Sequence, residues 1–329
     1  MNDADRSAML TDYDALTRGV GFALLDGRTQ IEVRGADRAS FLHGMCTNDV
    51  KNLTPGRGRE AFFTNVQGKT IGHAYLFAAA DAICIDTTPG QAAALVPALD
   101  RYIIREKIEL YDRTTERGEL LIAGPSAAAL LEQVSGQKPP SERLDHTAIA
   151  LGGKSASLRR VDFVAGGCFF VACAAADLDA VVELLESAGA KRIADATLDA
   201  ARIEQGTPLF GRDISPDNLP QELARDALAI SFTKGCYLGQ ETVARIDALG
   251  HVNRYLAGVR FEGDRVPPPG TPLFAADKQV GEITSAAFSP RLKAPLALAF
   301  VRRGHHQQGT RLQSTIAVAE TVALPLTTA

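Results

Sequence analysis

The chain has few cysteines, no long apolar run and no excess of positive charge, and each shortage removes a class of protein. Five cysteines stand at 46, 84, 168, 173 and 236. An odd count without a CxxC pair encodes neither a disulfide framework nor a zinc ribbon, so reduced thiols in a reducing compartment are expected. Cys168 and Cys173 fall in an apolar, strand-like run, where small thiols serve as packing. No stretch reaches the 18 or so apolar residues of a membrane helix, and the beginning, MNDADRSAML, is acidic and has no hydrophobic signal region. A cytoplasmic protein that does not enter a membrane is expected. Lys plus Arg number 35 against 39 for Asp plus Glu, a net charge of −4. That balance supplies no long-range basic field to collect phosphates, so nucleic acid is not an expected partner. No repeat of 20 to 50 residues is evident, which argues against a solenoid. His305-His306 has no third ligand at short spacing, and no metal site is predicted.

What is present suits an ordinary globular protein: 329 residues, 46% hydrophobic and 22% charged, enough for two or three domains. Residues 20–25 and 31–34 read as extended. Asp37 then opens a helix that turns Phe41, Leu42 and Met45 inward and ends at Thr47-Asn48-Asp49. Residues 61–66 and 71–78 form a hairpin turned at Gln67-Gly68-Lys69, followed by a strand over 82–86. Thr88 caps and Pro89 starts a helix to about Tyr102, with Pro97 as a kink. From Glu119 the pattern repeats, with helices capped by Asp177 and Asp195 and stopped by Gly189 and Gly206. Past residue 250 short extended segments alternate with turns such as Pro267-Pro268-Pro269-Gly270, the texture of a small β-barrel or sandwich.

The most unusual local sequence is Lys234-Gly235-Cys236-Tyr237-Leu238-Gly239-Gln240-Glu241, followed by a helix-compatible stretch over 242–249. Cys236 would then stand near a helix N-terminus. A free thiol is only about 3% thiolate at pH 7, and helix-end amides together with the Lys234 cation favour the anion. A depression of two pH units corresponds to about 2.7 kcal/mol. Gly235 and Gly239 lack Cβ atoms and allow close approach. The same octapeptide is also compatible with a buried structural cysteine in a glycine-marked turn.

The octapeptide resembles the signature of the YgfZ family, folate-binding proteins tied to iron–sulfur cluster maintenance within the glycine-cleavage T-protein superfamily. Residues 41–50, Ala201-Arg202-Ile203-Glu204, the stretch 280–285 and Ser289-Pro290 are similar as well, and Asn65-Val66-Gln67-Gly68 resembles the mitochondrial iron–sulfur assembly branch. The resemblance implies an α+β, three-domain aminomethyltransferase-like fold around a hole that holds tetrahydrofolate or a one-carbon derivative. Residues 1–48 and 115–247 would make the folate-binding domain, 49–114 an inserted α+β domain and 250–329 a C-terminal β-barrel. Cys236 and Lys234 would be the reactive pair. Arg202, Glu204, Asn48, Asp49, Gly235, Tyr237, Gly239, Gln240 and Glu241 would be the cofactor-binding residues. Two readings stay open beside these: Arg202 and Glu204 as internal salt-bridge partners, and Asn48 and Asp49 as the end of their helix.

This chain departs from the T-protein pattern twice. Gly72 and His73 stand where a strand carboxylate acts on the folate, and Gly166 and Gly167 where a pteridine-anchoring acid is expected. His73 could still act near neutral pH. The implied partners are folate and iron–sulfur client or assembly proteins, and the implied role is assembly or repair of clusters on client enzymes. The alternatives are an aminomethyltransferase moving a one-carbon unit from a lipoyl carrier to tetrahydrofolate, and a non-catalytic scaffold with a vestigial pocket. The basic end of the chain, from Arg291 through His306, reads as a solvated face.

Overall fold

A computed structural model describes residues 3–326. Its strands form three sheets. The first has six strands in the order β11-β1-β7-β10-β9-β8, from β1 (Gly21–Leu24), β7 (Arg117–Ala123), β8 (His146–Leu151), β9 (Lys154–Val161), β10 (Cys168–Ala174) and β11 (Lys191–Arg192). The second has the order β3-β4-β5-β2-β6, from β2 (Thr29–Arg34), β3 (Gly58–Thr64), β4 (Thr70–Ala78), β5 (Ala82–Thr87) and β6 (Glu109–Asp112). The third closes into a barrel of β12 (Arg254–Phe261), β13 (Pro272–Ala275), β14 (Lys278–Ser289), β15 (Ala294–Arg302), β16 (Arg311–Ser314) and β17 (Val318–Val322). The mixture of sheets and separate helices is the expected α+β class, and the barrel is closed rather than a sandwich.

Alternation along the strands decides what each sheet buries. In β10, Phe169, Val171 and Cys173 face an apolar core shared with α4 (Ala127–Ser135) and α5 (Leu178–Ser187). Cys168 and Phe170 face the other way, toward Tyr75 and Phe77 of β4. In β2, Ile31 and Val33 join α2 (Arg38–Met45) and α3 (Ala92–Asp100) in a second core, which leaves Gln30 and Glu32 on the opposite face. Both sheets are thus covered by helices outside and meet each other inside. That inner seam is partly aromatic and partly ionic.

One helix ties the sheets to the barrel. On α6 (Asp195–Gln205), Ile203 packs on Leu256, Leu296 and Leu298 of the barrel wall. Arg202, 1% exposed, donates to Asp213 and to Ser285 on β14. Glu204 accepts from Ser289 and from Tyr13 on α1 (Asp3–Arg18). The two remaining helices are α7 (Asp226–Ala229) and α8 (Gln240–Leu249). No helix among the described residues is long and apolar enough to cross a membrane.

Three local expectations change. The boundary placed between residues 48 and 49 does not coincide with a sheet boundary: β2 pairs with both β5 and β6, so residues 29–34 belong to the sheet of the inserted segment. The helix expected from Thr88 begins at Ala92, because Gly90 takes a left-handed φ of 78° that breaks any helical run from Pro89. Asp177 occupies an N-cap position without a side-chain capping bond, and α6 begins at Asp195 itself after Ala194. Gly206, with a left-handed φ of 77°, does stop α6.

Candidate functional site

The octapeptide forms an irregular segment that ends in α8 at Gln240, with Gly239 in left-handed conformation as the N-cap. Cys236 therefore stands four residues before the first residue of α8, near the helix N-terminus but outside the helix. Its side is exposed. Cys46, Cys168 and Cys173 are buried and Cys84 is half-buried. Burial pushes the Cys84 thiol up to about 11 and that of Cys168 up to about 12, which keeps both protonated.

The segment is held by its backbone. Leu238 donates its N–H to Gly44 O (2.9 Å) and accepts at its carbonyl from Thr64 Oγ1 (2.5 Å). Gly239 lies against the β3–β4 turn so closely that a Cβ there would sit 2.4 Å from Asn65 O, and a Cβ on Gly68 would sit 2.7 Å from Thr242 Cβ. The two motifs Asn65-Val66-Gln67-Gly68 and Lys234–Glu241 are thus one contact, made possible by two glycines. Tyr237 is buried beside Phe62 and Val243, and Gln240 Oε1 accepts from the Tyr237 amide.

Lys234 is a correction to the sequence reading. Its ammonium donates to the carbonyls of His43, Cys46 (2.7 Å) and Asn48 (2.8 Å), at and beyond the C-terminus of α2. Three N–H groups meet three acceptors, and none remains for the thiol. Burial lowers its pKa, opposed by the nearby Cys46 and Asp49. Lys234 is therefore the cation that closes α2. Asn48 is likewise engaged, donating to Glu60 O (2.8 Å) and Leu228 O (3.0 Å), while Asp49 Oδ1 lies 3.1 Å from His43 Nδ1. Glu241 is exposed on the first turn of α8.

A cavity of about 470 Å³ opens elsewhere, between the start of α6 and the inner seam of the two sheets. Leu24, Phe163, Leu198 and Leu209 give it apolar walls, Arg28 and Arg202 line it, and the exposed Arg212 also borders it. It shares Arg28, Thr88, Phe163 and Leu209 with a narrow recess that reaches His73, Tyr75 and Asp86. Of the residues expected to bind the cofactor, Arg202 lines this cavity. Glu204, Asn48, Asp49, Gly235, Tyr237, Gly239, Gln240 and Glu241 do not. The internal-salt-bridge reading holds for both Arg202 and Glu204: Arg202 pairs with Asp199 at 2.6 Å and Asp213 at 2.8 Å, and the Glu204 carboxylate meets Tyr13, Ser289 and Arg291.

Two buried ionic clusters surround the recess. Arg28 and Arg159 alternate with Asp86 and Glu119, at 2.5 to 3.2 Å. Burial and the neighbouring Asp86 charge push the Glu119 carboxyl up, against both guanidiniums. In the second cluster Glu60, fully buried, meets Arg225, Arg143 and His73. Burial alone would raise its pKa, but the Arg225 guanidinium and the His73 hydrogen bond prevail and hold it well below the carboxylate range. His73, 7% exposed, gives Nε2 to Glu60 at 2.7 Å and has its own pKa lowered by burial, with Glu60 opposing. Gly72 packs on Leu95 of α3, where a Cβ would meet Cδ2 at 2.8 Å, so a carboxylate at that position would be driven into the apolar core, away from the recess that His73 lines. Sequence reading missed Arg28, Glu60, Glu119, Arg159 and Arg225. For Glu60 and Glu119 the signal available was a charge at an otherwise apolar strand position, as in GREAFFT and GELLIA.

The cavity suits tetrahydrofolate in size and chemistry. Its volume falls within the range of small-molecule sites, which runs from about 300 to 1,000 Å³. Tyr75 Oη is buried in the recess without a hydrogen-bond partner, while Arg28 Nε is paired with Asp86 at 2.5 Å and with Glu119 at 3.2 Å. The orphaned hydroxyl calls for a polar ligand edge. Phe163 offers a ring face, Asp26 and Asp195 can accept from an aminopteridine, and the exposed Arg212, paired with Asp199 at 2.9 and 3.0 Å, stands at the border where a carboxylate tail would meet it.

Residues 3–234 match the GCVT N-terminal domain family, and residues 254–328 the glycine cleavage T-protein C-terminal barrel domain. An aminomethyltransferase of Frankia alni is 28% identical over 90% of this chain and 82% of its own length. A chloroplastic protein of Arabidopsis thaliana named as a transferase is 25% identical over 94% of this chain and 71% of its own. The glycine cleavage system aminomethyltransferase T of Bartonella henselae superposes with a TM-score of 0.86, at 21% identity, over 96% of this chain and 89% of that one, which carries the fold. The sheet pair, the closing barrel and these matches together make the chain a member of the GCVT, or aminomethyltransferase-like, family.

Proposed function

We propose that this protein binds tetrahydrofolate in the 470 Å³ cavity and supports the assembly or repair of iron–sulfur clusters on client enzymes, with Cys236 as its reactive thiol. The observation that carries the reading is the contrast among the cysteines: Cys236 alone of the five is exposed, on a segment pinned at both sides. Tetrahydrofolate, when bound, supplies a carrier for one-carbon units. Phe163 and the leucine walls would hold its ring system, Tyr75 would meet a polar edge, and Arg212 would steady its carboxylates. Cys236→Ala, in cells lacking the native protein, is expected to leave the amount of folded protein unchanged and to abolish support of cluster-dependent enzyme activity. Full support by the variant would remove the thiol from the mechanism.

A second reading, aminomethyl transfer, is favoured by the names of the curated relatives. Against it, the strand position expected to carry an acting carboxylate holds His73, and the nearby Glu60 is tied to Arg225 and Arg143. Glycine-cleavage turnover with purified partner proteins would restore that reading.

A further inference from the structure

We infer that the protein carries a second ligand site, for a small molecule with two negative charges on oxygen, at the opposite end of the inner seam from the tetrahydrofolate cavity. It stands independently of the readings of that cavity and of Cys236. Following the strands shows the separation. Along β4 the folate-side recess takes His73 and Tyr75, whereas Phe77 and Ala79 reach a different cavity of about 310 Å³. Along β5 the recess takes Asp86 and Thr87, and the other cavity takes Ala82 and Cys84. The room there has a local cause. The inward position of β10 after Phe170 is Ala172, and the inward position of β9 before Arg159 is Ser157, so the aromatic packing around Tyr75 stops. The volume lies at the lower end of the range for small-molecule sites, about 300 to 1,000 Å³.

Four guanidiniums line this cavity, those of Arg34, Arg113, Arg117 and Arg159, against the two carboxylates of Glu32 and Asp81. Their pairings decide which are free. Glu32 meets Arg34 Nε at 2.7 Å and Arg113 Nη2 at 3.4 Å, and Asp81 lies 3.4 Å from Arg34 Nη1. Arg113 also meets Glu116 at 3.0 Å. Arg34 and Arg113 are thus balanced at the rim. Arg117 is exposed, and its side chain makes no hydrogen bond or ion pair among the described residues. Its position on β7 shares the face of Leu121 and Ala123, which look into the seam. At the floor, Arg159 is 5% exposed. It gives Nη1 to Asp86 and Glu119, Nε to Ser157 and Nη2 to Gln30 at 3.2 Å. The other Nη2 hydrogen has only Cys84 Sγ, at 3.7 Å, and a thiol sulfur is a weak acceptor. A buried charged donor so poorly met is open to a better partner. One oxyanion would take that N–H at the floor and a second would take the fork of Arg117 at the mouth, which is why two charges are required. Guanidinium forks match carboxylate and phosphate oxygens alike. Burial and the Asp86 charge push the Glu119 carboxyl up, which favours its protonated form and leaves the cluster at the floor short of negative charge.

The test uses the full-length protein with succinate as the dicarboxylate probe and inorganic phosphate as the phosphate probe. Ionic strength is held constant with sodium chloride, because screening weakens such contacts. Calorimetry should show saturable, submillimolar binding of at least one probe at a single site. Preference for succinate marks a dicarboxylate ligand, and preference for phosphate a phosphate ester. Arg117→Ala removes a side chain that holds no other group, so the variant should melt as wild type does and bind the probe about tenfold more weakly, the loss of one charge-assisted hydrogen bond. The place of binding is read at Cys84 in the unaltered protein: its alkylation by N-ethylmaleimide, followed by peptide mass spectrometry, should slow severalfold at saturating probe, while Cys236 keeps its rate. No saturable binding of either probe at millimolar concentration, an unchanged affinity in Arg117→Ala, or an unprotected Cys84 overturns the site.

Discussion

Glu60 holds one of the two buried ionic clusters together. It is fully buried and meets Arg225, Arg143 and His73. Glu60→Gln leaves Arg225 with only Asp162, 3.7 Å away, as a counter-charge, an imbalance that costs about 3 kcal/mol. Chemical denaturation at pH 7 should show that loss. The pH dependence follows from its lowered pKa: stability from Glu60 is fully present above the ordinary carboxyl value near 4.5 and is lost as pH falls through the lower folded value. The wild-type protein should therefore weaken in acid below pH 4.5, and the Gln variant should show less of that slope. At this scale the sequence was legible where chemistry is local. Cys236 drew notice from its glycines. Lys234 was misjudged because its three acceptors come from residues 43–48, which no short window contains.

Among elements, the hairpin turn and the thiol segment act as one unit. Gly239 has a φ of 81°, and its missing Cβ leaves 2.4 Å to Asn65 O. Gly239→Ala imposes a left-handed conformation that costs about 1–3 kcal/mol, and the collision adds to it. The expected outcome is a lower urea midpoint together with faster protease cleavage around residues 231–238, with the barrel spared. Strands, turns and stop glycines were legible from alternation and φ-permissive residues. The start of α3 was not, since Thr88 and Pro89 look like a cap and a first turn, whereas Gly90 adopts a left-handed conformation and delays the helix to Ala92. Sheet membership was hidden for the same reason: strand β2 reads as extended wherever it pairs, and only the tertiary register assigns it to β5 and β6.

At the scale of the molecule, the cavity and the thiol are separate places served by one fold. Tetrahydrofolate at about 100 times its dissociation constant should stabilise the protein by about 2.7 kcal/mol, and Arg212→Ala should need more ligand for the same rise in melting temperature. No rise at millimolar tetrahydrofolate would leave the cavity without its proposed occupant. The α+β fold with its closed C-terminal barrel was legible because the motifs that carry the resemblance are spread along the chain. The position of the cavity was not, because its lining comes from segments as distant as Leu24 and Arg212. The lysine that closes α2 has a further consequence for biosynthesis. Lys234 lies 191 residues beyond the His43 carbonyl it satisfies. A ribosome therefore releases α2 with its carboxyl end open to water and must translate most of the message before that end is sealed. Nascent chains stalled short of Lys234 should expose residues 43–48 to proteases, and chains extended through α8 should not.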